Sequence, residues 1–251
     1  MKKLLLVVLV LGLTGGMAYG AYRYWQHAQL EGPTAPTTVL LEEVLETKRS
    51  IDDLPQVYDE PAASLNIEVP FFTQAPYRNW DYPWQEACEE ASVLGVANLY
   101  LGLGLNLDSF NTKLLELVDW ETEYFGSYQD TTAAETVEML QINFGLEGVV
   151  HDNPTFEDIQ EILADGHLII APFAGKLLGN PNFRNGGPLY HMLIIKGYDA
   201  EKMQLVTNDV GTRNGADYVY AWATIENALH DWDDTDILLG TPRIIEVLPP
   251  Q

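Results

Sequence analysis

A lone cysteine and a distant histidine are the residues whose types and order could carry out covalent chemistry in this chain of 251 residues. Cys88 lies in the segment WQEACEEAS, at the predicted first turn of a helix, and His191 opens the apolar run HMLIIKGYD. The polar pair Asn208-Asp209 follows the next predicted strand. A thiol, then a histidine, then an amide or carboxylate is the order that thiolate chemistry uses, with the histidine as base and the third group orienting it.

The position of Cys88 both favours and opposes a thiolate. The start of a helix presents unpaired N–H groups and a partial positive charge, which stabilise an anionic sulfur. Glu86, Glu89 and Glu90 are close in sequence and oppose it, so a protonated His191 has to supply the compensating charge. The alternative is that Cys88 is a small buried side chain on a core helix, a common fate of a free cysteine.

Strand register decides which polar residue faces the histidine. A turn of three residues after Asp199 places Asp209 diagonal to His191 on the same face of the sheet. A turn of two residues places Asn208 there instead, because a slip of one residue exchanges the two faces of a strand. Both residues therefore stay open as the third member of the site.

An acyl-transfer site also needs hydrogen-bond donors for the oxyanion that forms during the reaction. Gln74, Gln85 and the main-chain N–H of Cys88 are the candidates. No metal or cofactor is predicted, because the acidic segment HDWDDTD lacks the glycine of a calcium loop and is interpreted as a solvated loop.

The elements that position these groups change type along the chain. Helices come first and antiparallel strands later, which predicts an α+β fold in which a buried, Cys-bearing helix packs on a C-terminal antiparallel sheet. Helices are predicted over 86–101, 108–120, 131–143, 156–164 and 224–232, and strands over 67–72, 167–173, 191–198, 203–207, 218–222 and 243–248.

The N-terminal residues 1–28 are predicted to be a membrane anchor. Lys2 and Lys3 precede an uncharged stretch, 4–22, which is close to the ~20 residues that cross a bilayer. Aromatic residues follow it, as at a membrane interface, and the charge bias places the rest of the chain outside the cytoplasm. The alternative is a cleaved signal peptide ending at Ala18-Tyr19-Gly20, which gives a secreted protein.

Residues 29–66 are predicted to be a Pro/Thr-rich and acidic linker with a short amphipathic helical stretch around 40–45, and 67–251 the folded domain. Acidic residues outnumber basic ones by 37 to 13, giving a net charge of −24. Such a charge repels nucleic acid, so no nucleic-acid partner is expected, although solubility alone explains an acidic surface. The oligomeric state is left open.

The four segments VPFFTQAPYRNW, WQEACEEAS, HMLIIKGYD and VTNDVGTRNG together resemble the papain-like cysteine peptidases related to the bacteriocin (double-glycine) leader peptidase domain. The resemblance is to the stand-alone bacterial branch and covers about residues 67–248. It implies a papain-like fold and a cofactor-free cysteine peptidase that hydrolyses a peptide or amide outside the cytoplasm.

The resemblance also implies roles for individual residues. Cys88 is the nucleophile, His191 the general base, Asp209 the orienting acid and Gln74 the oxyanion donor. Glu89 departs from the family pattern, which usually has glycine there, and the spacing from Gln74 to Cys88 is longer than in the leader peptidases, so Gln85 stays an alternative. A non-catalytic cell-surface binding module on the same scaffold is the competing hypothesis, because a fold does not fix a function.

Overall fold

Six helices and seven strands form the part of the chain that the computed structural model describes, residues 33–52 and 61–250. The helices are α1 (Leu41–Asp52), α2 (Cys88–Tyr100), α3 (Leu107–Tyr124), α4 (Ala133–Phe144), α5 (Phe156–Ala164) and α6 (Trp222–Ala228). The strands are β1 (Ser64–Asn66), β2 (Gly148–Asp152), β3 (Leu168–Ala174), β4 (Tyr190–Asp199), β5 (Gln204–Asn208), β6 (Tyr218–Ala221) and β7 (Arg243–Val247). Short 3₁₀ turns lie at Trp84–Glu86, Gly175–Leu178, Arg184–Gly186 and Ile237–Leu239.

All seven strands belong to one antiparallel sheet in the order β2-β7-β3-β4-β5-β6, and β1 pairs with the last residues of β4. β3 and β4 are buried along their whole length because helices cover the sheet there. The predicted α+β fold, with helices first and an antiparallel sheet later, is confirmed.

The helix that begins with Cys88 is the centre of the core. Every residue of α2 except Leu99 is buried, which agrees with the predicted buried helix. Gly95 permits the close approach of α2 to β4, since a Cβ atom there would lie 2.8 Å from Cδ1 of Ile194. Local capping also agrees with the sequence: α5 begins after Thr155, whose hydroxyl accepts from the Asp158 N–H as expected of an N-cap residue.

One strand prediction is wrong, and one strand was not predicted. The strand expected over 67–72 is replaced by β1 at Ser64–Asn66, and beyond it only Ile67 forms an isolated bridge, with Val39. Pro70 has no N–H to give to a ladder, which explains why the strand does not continue. β2 was not predicted; its burial pattern lacks the alternation of a strand with one clearly buried face, since it is an edge strand.

The residues before the predicted domain also contact the sheet. Val39 bridges to Ile67, and Val44 on α1 is part of the hydrophobic core. This helix includes the amphipathic stretch predicted within the linker segment 29–66. The predicted anchor or signal segment, 1–28, lies outside the described residues. Within residues 33–52 and 61–250, no helix has the length and apolar character needed to cross a membrane.

The hairpin formed by β4 and β5 contains a bulge that sets its register. At the turn, Asp199 pairs with Gln204, so four residues form the turn rather than the predicted two or three. Beyond a bulge at Lys196, the register shifts by one and Ile194 pairs with Asn208. The bulge therefore restores, near His191, the register that a three-residue turn would have given.

The buried side chain of Lys196 stabilises the bulge through contacts with the chain before β4 and the loop after β5. Its ammonium group lies 2.8 Å from the carbonyl oxygen of Ile67 and 2.7 Å from a carboxylate oxygen of Asp217, and it also donates to Asn66. Burial lowers the pKa of Lys196, and the contact with Asp217 opposes that shift.

Candidate active site

Cys88 lies in the first turn of a helix, as predicted, although α2 begins at Cys88 itself rather than at residue 86. Its side chain is buried, with 5% of its surface exposed. The 3₁₀ turn Trp84–Glu86 leads into the helix, and Ala87 at the N-cap position offers no side-chain acceptor to the first turn. The first N–H groups of a helix have no intrahelical acceptor, so the N–H of Cys88 is a donor at the start of α2.

The surroundings of the Cys88 sulfur favour the thiol over the thiolate. Among the hydrogen bonds of the described residues, its side-chain partner is Glu89, with Sγ and Oε2 3.0 Å apart. Burial raises the pKa of the thiol well above its usual value, and the charge and hydrogen bond of Glu89 raise it further. The main-chain N–H of Met192 on β4, the residue after His191, opposes this rise.

His191 is held in one orientation by a carboxylate and by close packing. Its Nε2 lies 2.9 Å from Oδ1 of Asp209, and both side chains are almost completely buried. The ring of Phe183 meets the imidazole edge to face, with centroids 5.3 Å apart. Because Nε2 is used by the carboxylate, Nδ1 is the ring nitrogen left for a reacting group.

Asp209 follows β5 directly and has four hydrogen-bond donors around its two oxygens. Oδ1 accepts from His191 and from the main-chain N–H of Gly211, at 2.9 and 3.0 Å. Oδ2 accepts from Asn180 at 2.9 Å and from the hydroxyl of Tyr220 at 2.7 Å. Burial alone would raise the pKa of Asp209, but the contacts with His191, Tyr220 and Asn180 outweigh it and lower the pKa.

Asn208, the alternative third residue, points elsewhere. Its amide donates to the carbonyl of Val69 at 3.1 Å, and its oxygen accepts from the N–H of Asp217. The structure therefore brings His191 together with Asp209 and not with Asn208, in agreement with the register beyond the bulge.

Gln74 connects the two halves of the site through hydrogen bonds that leave its amide occupied. Its Nε2 donates to the carbonyls of Trp84 and Gln85, at 2.9 and 3.0 Å, just before Cys88. Its main-chain N–H donates to the carbonyl of Val210, next to Asp209. Since two carbonyls use the two amide hydrogens, neither is free for an oxyanion in this arrangement.

Gln85 lies in the 3₁₀ turn before Cys88, and its amide donates to Glu86 at 3.0 Å. It is partly exposed, so it is closer to the surface than Gln74. Its role as an oxyanion donor stays a prediction, as does that of Gln74.

Sequence reasoning missed Asn180 and Tyr220, which hold the carboxylate of Asp209. The amide of Asn180 also donates to the hydroxyl of Tyr220 at 2.8 Å, so the three side chains form a closed group. Tyr220 lies on β6 and Asn180 in the loop after a 3₁₀ turn. Neither lies in a recognisable motif; the pairing of β6 with β5, in which Tyr220 lies opposite Leu205, brings Tyr220 to the strand that Asp209 follows.

The acidic residues around Cys88 are buried rather than solvated. Glu89, Glu90 and Glu121 each have at most 1% of their surface exposed, and Glu121 comes from α3. None of the ion pairs within the described residues includes one of these three carboxyl groups. Within the same part of the chain, no group of three or more His, Cys, Asp or Glu side chains could hold a metal ion.

Replacing Gly211 with alanine is expected to separate His191 from Asp209. A Cβ atom there would lie 2.7 Å from Cε1 and 3.0 Å from Nε2 of the imidazole, so the ring has to move. We expect the downfield proton NMR signal of the hydrogen-bonded Nε2–H to disappear and the free energy of unfolding to fall by about 1–3 kcal/mol. His191→Gln assigns the signal. A folded Gly211→Ala protein that keeps the signal unchanged would show that the ring is not confined by this glycine.

The fold and the site together define the class: an α+β protein of the papain-like cysteine peptidase fold. The model of the Peptidase_C39 like family matches residues 66–236, which is more than half of the chain. The chain therefore belongs to the Peptidase_C39 like family.

Solved structures are also similar to this chain. One of them is the crystal structure of a Bacillus anthracis protein that is provisionally described as a C39-like peptidase. It aligns with a TM-score of 0.49 and 14% sequence identity, over 77% of this chain and 100% of that one. Among curated proteins, no sequence matches this chain.

Proposed function

We propose that this protein is a cysteine peptidase that hydrolyses a peptide or amide bond outside the cytoplasm. Cys88 is the nucleophile, His191 the general base and Asp209 the group that orients it. The observation that carries the proposal is the buried hydrogen bond between Nε2 of His191 and Oδ1 of Asp209, which lies at the strand that packs against the helix beginning with Cys88. Membership in a family of C39-like peptidases supports it.

The roles follow from which atoms are already occupied. Asp209 accepts from Nε2–H of His191, which leaves Nδ1 as the lone-pair nitrogen that takes the thiol proton. The thiolate attacks the substrate carbonyl, and the imidazolium gives its proton to the leaving amine, so a thioester forms on Cys88. Water, deprotonated by the same imidazole, then releases the acid and restores the thiol. The N–H of Cys88 is the donor offered to the oxyanion.

In the resting arrangement the thiol of Cys88 is hydrogen-bonded to the carboxyl group of Glu89. This hydrogen bond has to break before the sulfur can attack a substrate. This observation also favours a second candidate function, a non-catalytic cell-surface binding module in which Cys88 is a buried structural thiol. The raised pKa of Cys88 is what such a module would show. The rate of thiol labelling distinguishes the two candidates.

The test is labelling of the full chain with a peptide acyloxymethyl ketone, a probe that needs a thiolate activated by its histidine. Wild-type protein is expected to be labelled, Cys88→Ala not at all, and His191→Ala at least about 100-fold more slowly, since a lost general base costs this much or more. His230→Ala is the matched control, because His230 contacts the Ala228 carbonyl and not Asp209. Labelling that survives Cys88→Ala, or an inert wild-type protein, would overturn the proposal.

A further inference from the structure

The carboxyl group of Glu89 lies between the sulfur of Cys88 and the main chain of the loop before α4. Oε2 is 3.0 Å from the sulfur, and Oε1 accepts from the N–H of Thr131 at 3.2 Å. With 1% of its surface exposed, this side chain has little access to water. Both oxygens of Glu89 therefore make hydrogen bonds within the protein, and one of these bonds is to the candidate nucleophile.

Two more carboxyl groups, those of Glu90 and Glu121, are completely buried near Glu89. The hydroxyl of Thr131 donates to Oε1 of Glu121 at 2.8 Å, which links the pair to the loop that holds Glu89. Among the described residues, neither oxygen of Glu90 has a hydrogen-bond partner, and burial together with the charge of Glu121 raises the pKa of Glu90 well above its usual value. Like charges this close in a buried site cannot all ionise, so the cluster retains protons that isolated glutamates would lose.

The titratable groups that face Glu89 come from every element around it. They are Cys88 and Glu90 on α2, Glu121 on α3, Asp130 in the loop before α4, and Tyr190 on β4, whose hydroxyl lies 3.5 Å from Oδ1 of Asp231 beyond α6. All are acids, and the nearby Arg243 is paired with Asp231 and Asp152. Among these groups of the described residues, no cation is therefore available to neutralise the carboxylate beside the sulfur. Protonation of Glu89 is what removes this negative charge.

We propose that Glu89 is a proton-controlled positioning residue for Cys88. When its carboxyl group is ionised, the thiol donates its hydrogen to Oε2 and is held as a thiol. When the carboxyl group is neutral, its O–H donates to the sulfur instead, and the thiol proton can pass to Nδ1 of His191 to give a thiolate and an imidazolium. This inference rests on the proposed function, because it assigns a control to the same nucleophile.

The electrostatics of the site agree with this direction. Burial raises the pKa of Glu89 to about 8, the hydrogen bond with Cys88 lowers it, and the charges of Glu121 and Asp130 raise it. The neutral, permissive form therefore prevails below about pH 8. Above that pH, the rising pH favours loss of the thiol proton, but the ionised carboxylate of Glu89 opposes the negative charge on the sulfur.

The first experiment compares the pH dependence of Cys88 alkylation by iodoacetamide in the full chain, read by mass spectrometry. Glu89→Gln removes the charge and keeps the size, and its amide can donate to the sulfur. We expect the alkylation midpoint to move down by about one pH unit or more, which is about tenfold in rate at a pH above about 8 but below both midpoints, where Glu89 of the wild type is ionised. Glu90→Gln is the matched control, one residue along the helix and without a hydrogen bond to the sulfur, and it is expected to move the midpoint much less because the charge of Glu90 raises the pKa of Cys88 less than Glu89 does.

The arms of this experiment separate the two proposals. A midpoint that is unchanged or raised in a folded Glu89→Gln protein overturns the role of Glu89. A wild-type profile that His191→Ala does not alter overturns the proposed peptidase site instead, whatever Glu89 does. Thermal unfolding of each variant establishes that it is folded.

A second measurement needs no variant. Cys88 is the single cysteine of the chain, so the protein has one S–H stretching band in its Raman spectrum. The band is expected to shift near pH 8, as Glu89 ionises and becomes the acceptor, before the band disappears at higher pH. A band that stays constant until it disappears would contradict the proposal even if Glu89→Gln fails to fold.

Discussion

Asp209→Asn is expected to reduce hydrolysis and probe labelling by about 100-fold or more while leaving the shape of the site intact. The two oxygens of Asp209 accept from four donors, and an asparagine side chain replaces one oxygen with an NH₂ group. If that group faces His191, the imidazole must carry its proton on Nδ1, where the proton blocks acceptance from Cys88. If it faces Asn180 and Tyr220, donor meets donor in a buried site.

The measurement combines labelling by the peptide acyloxymethyl ketone with nitrogen NMR of the imidazole, which reports the tautomer. Asn208→Ala is the matched control on the neighbouring residue. Its amide contacts Val69 and Asp217, so its loss is expected to cost stability without changing the tautomer. A folded Asp209→Asn protein with wild-type labelling and an unchanged tautomer would remove Asp209 from the site.

The same carboxylate has a consequence for acid stability, and its sign follows from the direction of the shift. The pKa of Asp209 is lower in the folded protein than its usual value of 3.8. Its contribution to stability is therefore present at neutral pH and is lost as the pH falls below about 3.8, where the unfolded chain binds the proton more readily.

The second large effect is a loss of stability at alkaline pH. Burial raises the pKa of Glu121 to about 7 and that of Glu89 to about 8, from a usual value of 4.5, and the pKa of Glu90 is also raised. Between pH 4.5 and pH 8 the folded protein therefore holds protons that the unfolded chain has lost. The free energy of unfolding falls as the pH rises through this window, by up to about 1.4 kcal/mol per pH unit for each retained proton.

We expect the melting temperature to be about 6–12 °C higher at pH 5.5 than at pH 8.5, which corresponds to a change of about 3 kcal/mol for a domain of this size. Glu121→Gln is expected to flatten this dependence and to raise the melting temperature at pH 8.5, since it removes one of the buried titrating groups. Glu138→Gln, on the exposed face of α4, is the control for the overall negative charge and is expected to leave the slope unchanged.

The result that would contradict this prediction is a slope in Glu121→Gln that equals the slope of the wild-type protein and of Glu138→Gln. That outcome would assign the pH dependence to the general charge of −24 rather than to the buried carboxyl groups.

The sequence predicted the parts of the molecule that local patterns determine. The apolar run after Cys88 is buried around the whole helix, and α5 starts after Thr155 because the hydroxyl caps its first turn. The change from helices to antiparallel strands predicted the fold class, and the order of Cys88 and His191 matches a helix start and a strand start that pack together.

What the sequence could not predict depends on contacts between distant residues. The choice between Asn208 and Asp209 depended on a bulge in β4, which no local pattern marks. Tyr220 and Asn180 reach Asp209 only through pairing of strands and the path of a loop. The acidic residues beside Cys88 correctly predicted opposition to the thiolate, yet their burial and their proximity to the charge of Glu121 depend on how α3 packs on α2.

The bulge at Lys196 separates the length of a surface turn from the geometry of the site. One extra residue in the turn between β4 and β5 is absorbed at the bulge, before it can shift the pairing of Ile194 with Asn208. The hairpin tip can therefore gain or lose a residue during evolution while the carboxylate that follows β5 keeps its place beside the imidazole. For the same reason, the tip is a suitable position for inserting a peptide tag in this chain, whereas the segment between the bulge and Asp209 is not.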